Sequence, residues 1–181
     1  MPLRPPRRDV RVPWLIARRR IGALLFAVLV AGCGTTARYR IPEDRLDRIR
    51  LLPPVSGTVS SGFGKRSGGR HAGIDILAPA GAEVRAASRG LAEYTGNGKR
   101  GYGSVVVLDH GDGITTLYGH LATIRVQSGE TVPAGAVIGT VGRSGNATTY
   151  HLHFELRVDG EAVDPVPYLN RCRENICRPA S

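Results

Sequence analysis

From Val55 to Leu169 the chain repeats one texture. Short runs rich in Val, Ile, Leu and Thr alternate with polar residues and stop at Gly, Asn or Asp every eight to twelve residues. Alternation with period two marks strands, and turn signals at that spacing predict an all-β fold, an antiparallel sandwich or barrel with almost no helix. Strands are predicted at Gly57–Ser61, Ile74–Leu77, Glu83–Ala87, Gly90–Thr95, Ser104–Asp109, Ile114–Tyr118, Thr123–Val126, Val137–Val141 and His151–Val158. Asp112-Gly113 and Asp159-Gly160 carry the residue types of tight hairpin turns. The hexapeptides Pro79–Val84 and Pro133–Ile138 are near copies. Each predicts a turn leading into a strand, a faint internal repeat.

The flanks read differently. A basic stretch ending at Arg20 is followed by the apolar run Ile21 to Ala31, which stops at small residues. That is the layout of a secretory signal, and the run is shorter than the roughly 20 residues of a spanning helix. Val30-Ala31-Gly32-Cys33 resembles the lipobox of bacterial lipoproteins. The resemblance implies cleavage after residue 32, lipidation of Cys33 and membrane anchoring. Gly34, where an inner-membrane retention signal has Asp, implies the outer membrane. Residues 33–53 then form a tether. Within it Ile41-Pro42-Glu43-Asp44 can open a short helix, and Pro53-Pro54 ends any helix. A domain is expected over residues 54–170 and a tail over 171–181. With Cys33 lipidated, Cys172 and Cys177 remain as an even pair in an oxidising compartment. A disulfide between them would add about 2 kcal/mol on the chain-entropy model.

Charge changes this picture little. The formal net charge is +10, but seven arginines and one aspartate fall within residues 1–33, so six of those charges belong to the leader. The remainder of the chain is mildly basic, without interleaved arginines and aromatics. Nucleic acid is therefore not an expected partner, whereas an anionic polymer is compatible.

Chemistry concentrates in Tyr150-His151-Leu152-His153-Phe154-Glu155. On a strand His151, His153 and Glu155 share one face, opposite Leu152, Phe154 and Leu156. A second cluster is His71 with Asp75. Ile74 and Ile76 flank Asp75, so its carboxylate leaves the apolar layer and must be solvated, paired or bound to metal. His71, Asp75 and one histidine of the 151/153 pair make a two-histidine, one-carboxylate set. That set suits Zn²⁺ and leaves a fourth position open, the mark of a catalytic rather than a structural zinc. His120 is expected at a strand end, at a glycine turn, and His110 as a turn or surface residue. Glu155 could orient a ligand imidazole or simply pack at the strand end.

Four blocks carry a family resemblance: Ser61-Gly62-Phe63-Gly64, Gly69-Arg70-His71-Ala72-Gly73-Ile74-Asp75, Tyr118-Gly119-His120-Leu121 and His151-Leu152-His153-Phe154-Glu155. Together they resemble the lysostaphin-type (LytM-like) zinc metallopeptidases over about Ser56 to Leu169. The resemblance implies a β-rich groove called a duplicated hybrid motif and one Zn²⁺ held by His71, Asp75 and His153. It also implies His120 and His151 as catalytic histidines and DD-endopeptidase cleavage of peptide cross-links in peptidoglycan. Thr149-Tyr150 stands where members often carry Gly-Pro, a departure that bears on substrate preference, and no tyrosine lies just upstream of His71 to help hold a transition state. Some relatives keep the fold, lose ligands and activate cell-wall amidases; here all the ligand positions are filled.

Overall fold

A computed structural model describes residues 49–66, 68–97 and 101–169, with the backbone of 172–173 and 176–177. The predicted export signal, Cys33, the predicted tether through residue 48 and the side chains of Cys172 and Cys177 lie outside the described residues. Among the described residues, fourteen strands occur in chain order. The first seven are β1 (Gly57–Ser61), β2 (Gly64–Arg66), β3 (Gly69–His71), β4 (Ile74–Leu77), β5 (Glu83–Arg85), β6 (Gly90–Gly96) and β7 (Ser104–Asp109). The rest are β8 (Ile114–Ile124), β9 (Thr131–Val132), β10 (Val137–Val141), β11 (His151–Val158), β12 (Glu161–Val163), β13 (Cys172–Arg173) and β14 (Ile176–Cys177). A 3-10 turn spans Val166–Tyr168.

The main sheet runs β13-β14-β1-β4-β11-β8-β7-β6-β9, with β10 on β8, β5 on β10 and β12 on β11, every pairing antiparallel. β2 and β3 form a separate hairpin. Five predicted strands match in full: β1, β4, β7, β10 and β11. The predicted pair Ile114–Tyr118 and Thr123–Val126 is instead the single strand β8, continuous through Gly119 and His120. The β2–β3 hairpin is absent from the predicted strands, because Gly64–Arg66 and Gly69–His71 carry no apolar alternation to announce it.

β11 is central, between β4 and β8, and that placement decides its burial. Leu152, Phe154, Leu156 and Val158 are fully buried, but so is Glu155, and His153 is nearly so. Both faces of the strand are therefore covered for most of its length, and its first residue, His151, reaches the groove edge half-buried. On the apolar side Phe154 meets Tyr118 at 5.3 Å between ring centroids, and Ile74 and Ile76 of β4 are fully buried beside them. Burying side chains of this size stabilises by about 1.5–3 kcal/mol each.

The repeated hexapeptides form equivalent turns. Gly81 and Gly135 share φ +78°, and the two turns exchange equivalent bonds. Gly81 N–H donates to Val141 O and Val141 N–H to Ala82 O; Gly135 N–H donates to Ala86 O and Ala86 N–H to Ala136 O. Both predicted hairpin turns are present, with left-handed Asp112 (φ 51°) and Asp159 (φ 51°). The last tether residues pack on the domain: Ile49 and Leu51 are buried, and Leu51 N–H donates to Tyr168 O.

His110 lies in the loop between β7 and β8, as expected of a turn residue, but it is half-buried. Its Nδ1 lies 2.8 Å from Arg89 O and its Nε2 2.8 Å from Thr116 Oγ1. Thr116 in turn bonds the Tyr118 hydroxyl at 2.9 Å, which accepts from Ala87 N–H at 2.8 Å. The loop histidine closes a polar chain that satisfies the buried tyrosine.

Candidate metal centre and groove

Three neighbouring strands bring the site together. In the register of β4, β11 and β8, His153 is paired with Asp75 on one side and Gly119 on the other. His71 ends the β2–β3 hairpin, three residues before β4. A groove of about 400 Å³ opens above them, lined by Arg66, Tyr102, His120, His151 and the metal-site residues, with Asn146 to Thr148 forming one wall.

The donor atoms converge tightly. His71 Nε2 lies 3.1 Å from Asp75 Oδ1 and 3.1 Å from His153 Nδ1, and His153 Nδ1 lies 2.9 Å from Asp75 Oδ1. The ring protons are committed elsewhere. His71 Nδ1 is 2.7 Å from Gly62 O, a carbonyl that can only accept, so the proton of the neutral ring is on Nδ1. His153 Nε2 is 2.9 Å from Glu155 Oε1, which places its proton on Nε2. Two bare nitrogens and a carboxylate oxygen thus face one another with no donor among them. Such a trio calls for a cation, and imidazole with carboxylate suits zinc. Among the described residues His71, Asp75 and His153 are the one group able to hold a metal ion.

Electrostatics agree. Burial pushes the Asp75 carboxyl up, but the close approach of His153 and of His71 outweighs it and holds it down at about 2. Burial also opposes charge on His153, yet Asp75 and Glu155 raise its pKa above the ordinary value. Burial lowers the pKa of His71.

Behind each ligand stands a partner that sequence reasoning missed or left open. Glu155 is fully buried and takes three bonds: from His153, from Tyr102 Oη at 2.5 Å and from Arg157 Nε at 2.7 Å. Burial would raise its pKa, but these donors lower it, so Glu155 is an ionised acceptor for His153. Asp75 divides its oxygens, with Oδ1 toward the histidines and Oδ2 3.1 Å from Arg66 Nη2. A glutamate on the ligand face hinted at the first arrangement. Nothing in Gly101-Tyr102-Gly103 signalled the tyrosine.

His120 and His151 border the cluster. Their ring centroids lie 4.7 Å apart. His120 is not at a strand end: it lies within β8 with φ +61°, a left-handed conformation that costs a non-glycine residue about 1–2 kcal/mol. Two bonds hold it there, His120 N–H to Tyr102 O at 2.8 Å and ring Nδ1 to Ser144 O at 2.8 Å. The second bond fixes the proton on Nδ1 and leaves Nε2 bare. Burial lowers the His120 pKa, favouring the neutral ring. His151 Nδ1 lies 3.0 Å from Thr149 O, and its Nε2 is 3.7 Å from Asp75 Oδ1.

An all-β groove with two histidines and an aspartate converging on one point, flanked by two more histidines, has the layout of a metallohydrolase. Residues 69–165 match Peptidase family M23, and the chain belongs to that family. It is 42% identical over 118 residues to outer membrane antigenic lipoprotein B of Haemophilus influenzae, covering 65% of this chain and 29% of that protein. It is 42% identical over 124 residues to the DD-carboxypeptidase/endopeptidase Mpg of Neisseria meningitidis (65% and 28%). With the murein hydrolase activator NlpD of Escherichia coli it shares 39% over 116 residues (64% and 30%). The chain thus spans less than a third of the length of these relatives. Among solved structures, the antimicrobial peptidase lysostaphin from Staphylococcus simulans superposes with a TM-score of 0.59 at 31% identity, covering 65% of this chain and 53% of that one.

Proposed function

We propose that the protein is a zinc-dependent peptidase that hydrolyses peptide cross-links of peptidoglycan, a DD-endopeptidase held in the bacterial envelope by lipid at Cys33, on the outer membrane. The observation that carries the reading is the acceptor-only trio of His71 Nε2, Asp75 Oδ1 and His153 Nδ1, with His120 beside it presenting a bare Nε2. One zinc ion held by the trio would supply Lewis-acid polarisation of the scissile carbonyl and a more acidic water.

The protein's own groups do the rest. His120, kept neutral by burial and locked by Ser144, accepts the proton of the attacking water at Nε2 and returns it to the departing amine. His151, across a 4.7 Å ring separation, stabilises negative charge developing on the carbonyl oxygen. Glu155, backed by Tyr102 and Arg157, keeps the His153 ring in its binding orientation.

A second reading, a regulator that activates cell-wall amidases, draws support from the likeness to NlpD. The complete donor set and the poised His120 favour the enzyme. Cross-linked muropeptide dimers incubated with the purified protein, with bound zinc quantified, test the choice. Conversion to monomers is expected; intact dimers in the presence of zinc-loaded protein would leave the regulator.

A further inference from the structure

Charge on the groove lining is sparse and lopsided. Among the described lining residues, Arg66 is the one permanent cation and Asp75 the one carboxylate. Both oxygens of Asp75 are engaged, Oδ1 by the histidines and Oδ2 by Arg66. A negatively charged group entering the groove therefore meets no free anion on its walls.

Arg66 is only partly used. A guanidinium carries five N–H donors on a planar fork that matches a carboxylate edge to edge. One nitrogen, Nη2, is given to Asp75, and no other hydrogen bond from this guanidinium occurs among the described residues. Its side chain is 42% exposed, on the β2–β3 hairpin whose Lys65 and Arg70 are exposed as well. The bond to Asp75 tethers the fork at the edge of the ligand cluster, which lowers the entropy lost when a second partner is bound.

Resting on the peptidase reading, we infer that Arg66 is a specificity-determining residue: it binds a free carboxylate on the substrate residue next to the scissile amide. The substrate class is then an acidic cross-linked peptide rather than a neutral one. The distance from Arg66 to the ligand cluster, one carboxylate's width, puts the recognised group within about one residue's length of the reacting bond.

The test uses two cross-linked peptides that differ only in amidation of their free carboxylates. Binding to the zinc-loaded His120→Ala protein is measured by titration calorimetry, with turnover slowed about 10²-fold or more, and cleavage is followed with the wild-type protein. Amidation should weaken binding about 10-fold or more and raise KM more than it lowers kcat. Arg66→Gln, combined with His120→Ala and matched for zinc content, should bind both peptides alike; Arg66→Lys should retain part of the preference. Equal binding of the two peptides by the parent protein, or an undiminished preference in Arg66→Gln, overturns the inference. A preference in binding that disappears in Arg66→Gln, without cleavage of either peptide by the zinc-loaded wild type, upholds the Arg66 site and overturns the peptidase reading instead.

Discussion

His71 Nε2 and His153 Nδ1 stand 3.1 Å apart, and in their neutral forms neither can donate to the other. Gly62 O and Glu155 hold the protons of the two rings on their far sides. The contact is repulsive until a cation enters it, so the fold and the metal are energetically linked.

Removing the metal should therefore lower stability as well as activity. Dialysis against a chelator is expected to reduce Tm by several degrees, with recovery on adding zinc, since a ligand at 100 times its Kd contributes about 2.7 kcal/mol. Scanning calorimetry of the two forms decides it; superimposable melts would contradict the linkage.

His153→Ala should abolish zinc binding and peptidase activity together. By contrast, His120→Ala should keep its zinc and lose about 10²-fold or more in kcat. Zinc content and turnover measured on the same samples separate the two roles. A fully zinc-loaded His153→Ala protein would mean the ligand assignment is wrong.

Tyr102→Phe deletes the hydroxyl that bonds Glu155 and leaves the ring in place. Zinc affinity is expected to fall about 10-fold, the scale typical of partners one shell beyond a ligand. Competition with a chromogenic chelator reads this directly. The variant should remain folded, because Glu155 keeps its bonds to His153 and Arg157.

Gly73 lies where β11 crosses the turn into β4. A Cβ there would run into the Phe154 carbonyl and the Glu155 side chain. Backbone must move to relieve it, so Gly73→Ala should destabilise by more than about 2 kcal/mol. Chemical denaturation measures the loss, and it should be accompanied by weaker zinc binding because the shifted strand carries His153.

Burial lowers the His110 pKa in the folded protein. The unfolded chain then binds more protons near pH 6, and the neutral ring's contribution is complete above the ordinary histidine value of about 6.5. It declines as pH falls through that value toward the lowered folded one, then levels off. His110→Asn should thus be less stable than wild type at pH 8 but lose less between pH 7 and 5. Thermal melts across that range give the comparison, and parallel pH curves for the two proteins would refute it.

The strands were legible where apolar and polar residues alternate, as in β1, β7 and β10, and the turns where Asp-Gly pairs stand. β8 was split because Gly119-His120 looks like a turn when read locally. Only the carbonyls of Tyr102 and Ser144, brought in from other elements, hold His120 left-handed within a continuous strand. His71, Asp75 and His153 were visible as a set because metal ligands must be of few residue types. Tyr102 and Arg66 were not, since a tyrosine between glycines and an arginine in a short polar hairpin look the same whether they face solvent or a groove. The full burial of Glu155 escaped for a related reason: alternation gives the face of a strand but not whether both faces are covered.

Asp75 and His153 are direct partners across β4 and β11, yet most of the domain's sequence separates them. Contacts that distant form late, after a large loop has been closed at an entropic cost. An amino-terminal portion that ends before β11 holds His71 and Asp75 but lacks the third ligand, His153. Until β11 is in place His153 is missing from the set, and the candidate metal centre comes into being only when the domain is whole.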